Sequence, residues 1–172
     1  MKKNLLFIFI IFLIFCFFVF LKSLNSPNTY VPNQSIGKKI LAFKTEELLS
    51  GKNINSEELF LDDKIYLLNI WSSWCAPCRK EHKFLMKIKN ESNIEVIGIN
   101  YKDNPVNAKK FINNLGNPYK TILKDKDGII SINLGAYGVP ETLIIDKNKI
   151  ILKKFVGPLN EESLNQIQSL LK

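Results

Sequence analysis

Two cysteines three residues apart, set between a β-branched run and an amphipathic one, constrain this chain more than anything else in it. Ile65-Tyr66-Leu67-Leu68-Asn69-Ile70 is short, aliphatic and free of charge, the pattern of a buried strand. From Lys80 to Lys89, Phe84, Leu85 and Ile88 recur at helical spacing with charges between them. Cys75-Ala76-Pro77-Cys78 falls where the strand gives way to the helix. Cysteines at that spacing close a small disulfide ring without moving the backbone. The free N–H groups and positive dipole end of a helix favour an anion there, so Cys75 is expected to attack as a thiolate. Cys78, one turn inside and more shielded, is expected to resolve the mixed disulfide. Pro77 sits in the first turn, where its missing N–H costs nothing.

The remaining cysteine, Cys16, lies in an apolar tail, so no disulfide framework is implied. That tail begins with Lys2 and Lys3 and runs uncharged from Leu5 to Leu21. About 17 residues at ~1.5 Å each reach roughly 26 Å, enough for a thin hydrocarbon core. The run is long and rich in Phe and Ile, and no small-x-small site follows, which favours an uncleaved anchor over a removed signal. The paired lysines favour a cytoplasmic N-terminus, although Lys22 at the other end weakens the asymmetry. The expected organisation is an anchor over 1–22, a Ser-, Asn- and Pro-rich linker over 23–35, and a single domain over 36–172 outside the cytoplasm. The net charge of +8 is carried by lysine apart from Arg79. No aromatic-interleaved basic patch accompanies it, so it reads as a solvated surface and no nucleic-acid partner is expected.

Along the domain, strands are expected at Ile40–Thr45, Ile65–Ile70, Ile94–Asn100, Thr121–Lys124, Thr142–Asp146 and Lys149–Val156. Lys147-Asn148 joins the last two as a tight turn. Gly51–Ser56 is turn-like, and Glu57–Leu61 reads as a short strand or a turn. Helices are expected at Cys75 to about Asn90, at Pro105–Leu115 closed by Gly116, at Ile129–Leu134, and at Glu161–Leu171 capped by Asn160. Asp125-x-Asp127-Gly128 lacks the remaining ligands of a calcium loop and reads as a turn. The alternation predicts an α/β fold, a mixed sheet covered on both faces.

Trp74-Cys75-Ala76-Pro77-Cys78, with Val139-Pro140 before a strand, resembles the thioredoxin-like superfamily. Cys78-Arg79-Lys80-Glu81-His82, Gly98-Ile99-Asn100-Tyr101-Lys102-Asp103, Leu115-Gly116-Asn117-Pro118-Tyr119 and Gly135-Ala136-Tyr137-Gly138-Val139-Pro140-Glu141-Thr142 resemble its CcmG/DsbE group of membrane-anchored cytochrome c maturation proteins. The resemblance implies a thioredoxin-like sheet preceded by one transmembrane helix in a bacterial inner membrane, with the catalytic domain in the periplasm. It also implies reduction of the haem-binding Cys-x-x-Cys thiols of apocytochrome c, directly or through a maturation partner, and a membrane electron donor for re-reduction. No cofactor and no metal is implied.

Pro140 resembles the superfamily's cis-proline, which would leave the backbone of Val139 free to pair with an extended substrate. Glu81 and Glu141 resemble the acidic residues around this group's active site. Thioredoxin carries a buried aspartate six residues before its first cysteine, where this chain has Asn69, which cannot titrate. Glu81, three past Cys78, is therefore the candidate to relay the proton of the resolving thiol, the alternative being a solvated helix charge. Trp74 is expected at the exposed rim, for substrate packing; Trp71 fits the rim or the core equally.

Other readings remain open at this point. Cys75, Cys78 and His82 share a helical face and offer three metal ligands, although no second cysteine pair would close a zinc site. A general thiol–disulfide reductase, or an anchored module that captures thiols without turnover, would carry the same dithiol.

Overall fold

The structure, a computed structural model, describes residues 2–24 and 35–170, which fall into two compact units divided at Val31 and Pro32. In the first, α1 (Lys2–Leu24) has neither Gly nor Pro to interrupt it. Its segment Asn4–Lys22 is long and apolar enough to cross a membrane, and the side chains from Leu5 to Leu21 are exposed. The expected linker lies, from 25 to 34, outside the described residues.

The second unit is built on a five-stranded sheet in which Thr121–Asp125, Ile94–Tyr101, Ile65–Trp71, Glu141–Ile145 and Ile151–Val156 lie side by side in that order. The strands are β3 (Ile65–Trp71), β4 (Ile94–Tyr101), β5 (Thr121–Asp125), β6 (Glu141–Ile145) and β7 (Ile151–Val156). β3, β4 and β5 run parallel, and β6 and β7 pair antiparallel beyond β3. Parallel neighbours need crossovers, which α2 (Ala76–Ile88) and α3 (Pro105–Leu115) supply. β6 and β7 need only a tight turn, organised by the Asp146 side chain accepting from the Asn148 and Ile150 backbone N–H groups.

Because side chains alternate along a strand, β3 feeds two cores. Leu67 and Trp71 pack with Phe84, Leu85 and Ile88 of α2, Phe111 and Ile112 of α3, and Leu164 and Ile167 of α5 (Glu161–Ser169). Leu68 and Ile70 face the other way, against Ile40, Phe60, Ile97, Ile99, Leu143 and Leu134, the last just past the short α4 (Ile129–Asn133). Asn69 falls on the α2 side of this alternation, the one polar position in an otherwise apolar row. Gly98 gives room on the same side: a Cβ there would meet Trp71 Nε1 at 2.9 Å and the Tyr119 ring at 3.0 Å. Those two rings stack with centroids 5.5 Å apart. Gly116 ends α3 at φ 87°, a conformation suited to glycine.

The first strand differs from expectation. It is not Ile40–Thr45 but a short β1 (Lys44–Glu46), paired antiparallel with β2 (Asn53–Asn55), a segment that reads as a turn in sequence. These form a two-stranded sheet of their own, tied to the main sheet by a bridge between Glu47 and Leu123. Ile40 is a core residue, and the chain beside it pairs only through an isolated antiparallel bridge, Lys39 to Ile150, with the Ile40 N–H donating to the Lys149 carbonyl at 2.9 Å. Of Glu57–Leu61, the first part is a 3-10 turn, Ser56–Glu58, capped by the Asn55 side chain accepting from Glu57 N.

Candidate active site

Beyond Trp71 the chain crosses the end of the sheet to reach α2, and this crossing is stitched to the end of β4. The Ser72 hydroxyl donates to the Tyr101 carbonyl, and Trp74 Nε1 donates to the Lys102 carbonyl at 3.2 Å. Asp103 accepts from the Ser73 N–H at 2.5 Å, the Ser73 hydroxyl at 2.7 Å, Asn100 Nδ2 at 2.9 Å and the Asn104 N–H at 2.8 Å. The three residues before Cys75, Ser72 to Trp74, therefore have little freedom, and Cys75 is delivered at a fixed place.

Cys75 is the N-cap of α2, with extended backbone, and its Sγ accepts from the Cys78 N–H at 3.1 Å. The sulfur thus occupies the position where a serine or aspartate oxygen would satisfy an orphan donor. The two cysteines form a disulfide, S–S 2.05 Å, with Cα atoms 5.3 Å apart. Cys75 is 4% exposed and Cys78 1%. Trp74 stands out at the rim, exposed, whereas Trp71 is wholly buried between Phe111 and Tyr119. Of the two places open to Trp71, it takes the core.

The Val139–Pro140 peptide bond is cis. Glu141, the next residue, pairs with Ile70, so this bond sits beside the end of β3 that leads to Cys75. Val139 packs against the cluster containing both cysteines. Among the described residues its backbone N–H and carbonyl have no partner.

Glu81 is fully buried, which removes the alternative of a solvated helix charge. Its Oε1 accepts from Asn69 Nδ2 at 2.8 Å and its Oε2 from the Leu159 N–H at 2.9 Å. Burial pushes its pKa up to about 7 against the pull of those two hydrogen bonds. Asn69 holds the network together: Nδ2 also donates to Thr142 Oγ1 at 3.0 Å, and Oδ1 accepts from the Tyr119 hydroxyl at 2.8 Å. Burial, with the Glu81 charge adding to it, raises the Tyr119 phenol well above its ordinary pKa. Thr142, Tyr119 and Leu159 are absent from the sequence-based site. The legible signal was Asn69, a polar residue on the α2 side of a buried strand.

Glu141 is buried as well, but in a separate cluster. Its Oε1 accepts from the Tyr137 and Gly138 N–H groups at 2.7 and 3.0 Å, and its Oε2 lies 2.7 Å from Lys154 Nζ. His82 is buried, with Nε2 2.9 Å from the Gly116 carbonyl and its ring edge-on to Phe111. Burial lowers its pKa, so the imidazole is neutral and Nε2–H is the donor.

A redox-competent cysteine pair at the mouth of α2, on a sheet of this order and beside a cis-proline, defines a thioredoxin-like thiol:disulfide oxidoreductase. Comparison with known proteins agrees. A family model described as Redoxin matches residues 35–171. The thiol:disulfide interchange protein DsbE of Tatumella citrea is 41% identical over 134 residues, 78% of this chain and 72% of that one. DsbE of Escherichia coli K12 is 39% identical over 77% of this chain and 71% of its own, and DsbE of Vibrio cholerae 34% over 95% and 90%. Among solved structures, the thioredoxin domain of a Bacteroides vulgatus thiol-disulfide oxidoreductase superposes with TM-score 0.68 at 20% identity, covering 80% of this chain and 98% of that one. A secreted thiol-disulfide isomerase of Corynebacterium glutamicum does so with TM-score 0.65 at 24% identity, over 74% and 81%. The chain belongs to the Redoxin family and, within it, to the DsbE thiol:disulfide interchange proteins.

Proposed function

We propose that this chain donates two electrons to the disulfide of a Cys-x-x-Cys-His segment in apocytochrome c, or to a maturation protein that passes them on, from a membrane-anchored domain facing the periplasm. The observation that carries the reading is the Cys75–Cys78 disulfide set at the N-cap of α2. In the reduced protein, the same Cys78 N–H and the helix dipole stabilise a Cys75 thiolate. That thiolate attacks one client sulfur; the client S–S bond breaks, a Cys75–client disulfide forms, and the departing client thiolate takes a proton from water.

Glu81, as carboxylate, then accepts the Cys78 proton. Cys78 attacks Cys75 Sγ, the mixed disulfide breaks, and the second client sulfur leaves as a thiolate that takes a proton from water while Glu81 returns its own to solvent. The client gains two electrons and the chain ends in the oxidised state described above. A carboxyl poised near pH 7 suits this role, since it is ionised enough to accept a proton and basic enough to hold one. An extended client would pair with the free backbone of Val139 at cis-Pro140 and pack on Trp74. Return to the dithiol requires an electron donor in the membrane.

The test uses the reduced full-length protein in detergent, with a disulfide-closed Cys-x-x-Cys-His peptide set against insulin. Preference for the peptide, and a Cys78→Ser variant that accumulates a mixed disulfide with apocytochrome c or a maturation protein, are expected. Equal rates on both substrates, with trapping of unrelated periplasmic proteins, would instead indicate a general reductase.

A further inference from the structure

Glu141 and Lys154 are both charged and both removed from water, their side chains 2% and 0% exposed. Such a pair is costly to bury unless hydrogen bonds accompany it. Those from Lys154 Nζ and to Glu141 Oε1 go to one loop, while Glu141 Oε2 has the ion pair and, among the described residues, no hydrogen bond. Lys154 reaches across from β7 to donate to the Gly135 carbonyl at 2.6 Å while meeting Glu141 Oε2 at 2.7 Å. Its ammonium also lies 5.1 Å from the centroid of the Tyr137 ring. Glu141 in turn takes the Tyr137 and Gly138 N–H groups on Oε1. Both ends of the segment 135–138, the stretch that leads into Val139 and cis-Pro140, are therefore held by one ion pair. Tyr137 and Gly138 are themselves exposed, and the start of the loop is also tied to α4 by the Gly135 and Ala136 N–H groups donating to the Ile132 and Ser131 carbonyls.

We propose that Lys154 is a positioning residue for client docking: paired with Glu141, it fixes the 135–138 loop so that the backbone of Val139 is presented to an extended client. On this reading Glu141 is not an acid lent to the dithiol. Its carboxylate is neutralised by Lys154 and works as a brace. The inference rests on the proposal that clients pair with Val139, and it deepens that proposal by naming what holds the docking edge in place. A Lys154→Gln side chain is shorter and cannot reach Gly135 and Glu141 together.

The experiment separates docking from sulfur chemistry by using two substrates. One is the disulfide-closed Cys-x-x-Cys-His peptide, which has a backbone to pair. The other is hydroxyethyl disulfide, which has none. For Lys154→Gln the peptide KM should rise about tenfold, with the rate on hydroxyethyl disulfide and the redox potential against glutathione close to wild type. Lys154→Arg, which keeps the charge and adds donors, should restore the peptide KM. An unchanged peptide KM overturns the proposal, and so does an equal loss on both substrates, which would place the damage in the dithiol. If Lys154→Gln does not fold, the Glu141→Gln/Lys154→Gln double variant, free of any unpaired buried charge, should show the same rise in peptide KM. Failure of the wild-type protein to reduce the peptide at all would instead bring down the reading of the client, at a separate arm of the same assay.

Discussion

Glu81 has two hydrogen-bond partners, Asn69 Nδ2 and the Leu159 N–H, and both are donors. The pocket is therefore built to hold a carboxylate, yet among the described residues it supplies no cation to offset burial, which pushes the pKa up to about 7. A carboxyl whose pKa is raised on folding binds more protons in the native state than in the unfolded one. Its stabilising contribution is complete below the ordinary value of 4.5 and is lost as pH climbs to about 7. The loss is on the order of 3 kcal/mol at ~1.4 kcal/mol per unit. Urea unfolding of wild type and Glu81→Gln at pH 5 and pH 8 measures it: the variant should gain on wild type by about that amount at the higher pH. In turnover the variant should lose the inflection near pH 7 and fall on the order of 10²-fold where Cys78 deprotonation limits the rate. Matching profiles across pH 5–9 would remove Glu81 from the chemistry. Asn69 is what makes this arrangement workable, because a second carboxylate in its place would sit in hydrogen-bonding contact with the first and the two could not both ionise.

At the scale of elements, α2 depends on a cap that is also the proposed nucleophile. In the reduced protein Cys75→Ser keeps an oxygen to accept from Cys78 N–H, whereas Cys75→Ala leaves that donor without a side-chain partner. Thermal or urea unfolding should find the serine variant close to the reduced wild type and the alanine variant lower by about 1 kcal/mol, with both inactive. This helix was legible because its signals agree: an apolar strand, a Cys-x-x-Cys, Pro77 in the first turn, and Phe84, Leu85 and Ile88 on one face. The β6–β7 hairpin and α3, with Asn104 as cap and Gly116 as stop, were legible for similar reasons. The arm from Ile40 to Phe60 was not. Its strands are three residues each, too short to show an alternation, and they pair with one another before touching the main sheet. The site divides in the same way. Cysteines, Pro140 and Trp74 announce themselves by local motif, and Glu81 by its place one turn past Cys78. Lys154 does not: in a Lys153-Lys154 run on a strand that is half exposed, nothing in the local pattern tells a buried lysine from a solvated one.

Across the whole chain, two kinds of apolar surface are present, and they answer to different solvents. Both core clusters of the domain are built from residues between Ile40 and Ile167, around the two faces of the sheet. α1 presents apolar side chains around its full circumference from Leu5 to Leu21, so it has no polar face to turn toward water. The 19 residues Asn4–Lys22 at ~1.5 Å per residue span roughly 28 Å, close to the ~30 Å of a hydrocarbon core. A chain reduced to residues 35–172 should accordingly remain in solution without detergent, unfold cooperatively, and reduce hydroxyethyl disulfide within about twofold of the full-length protein, since the dithiol, Glu81, Asn69 and the Lys154–Glu141 pair all lie within it. The full-length protein should sediment with membranes through high-salt and alkaline washes and come free only with detergent, because burial of an uncharged helix is insensitive to screening. Release by salt would mean that the lysine-rich surface, with the chain's net charge of +8, holds it to anionic lipid instead. A truncated domain that is molten or inert would mean that the sheet draws support from the N-terminal segment, and the division at Val31 and Pro32 would not mark an independent folding unit.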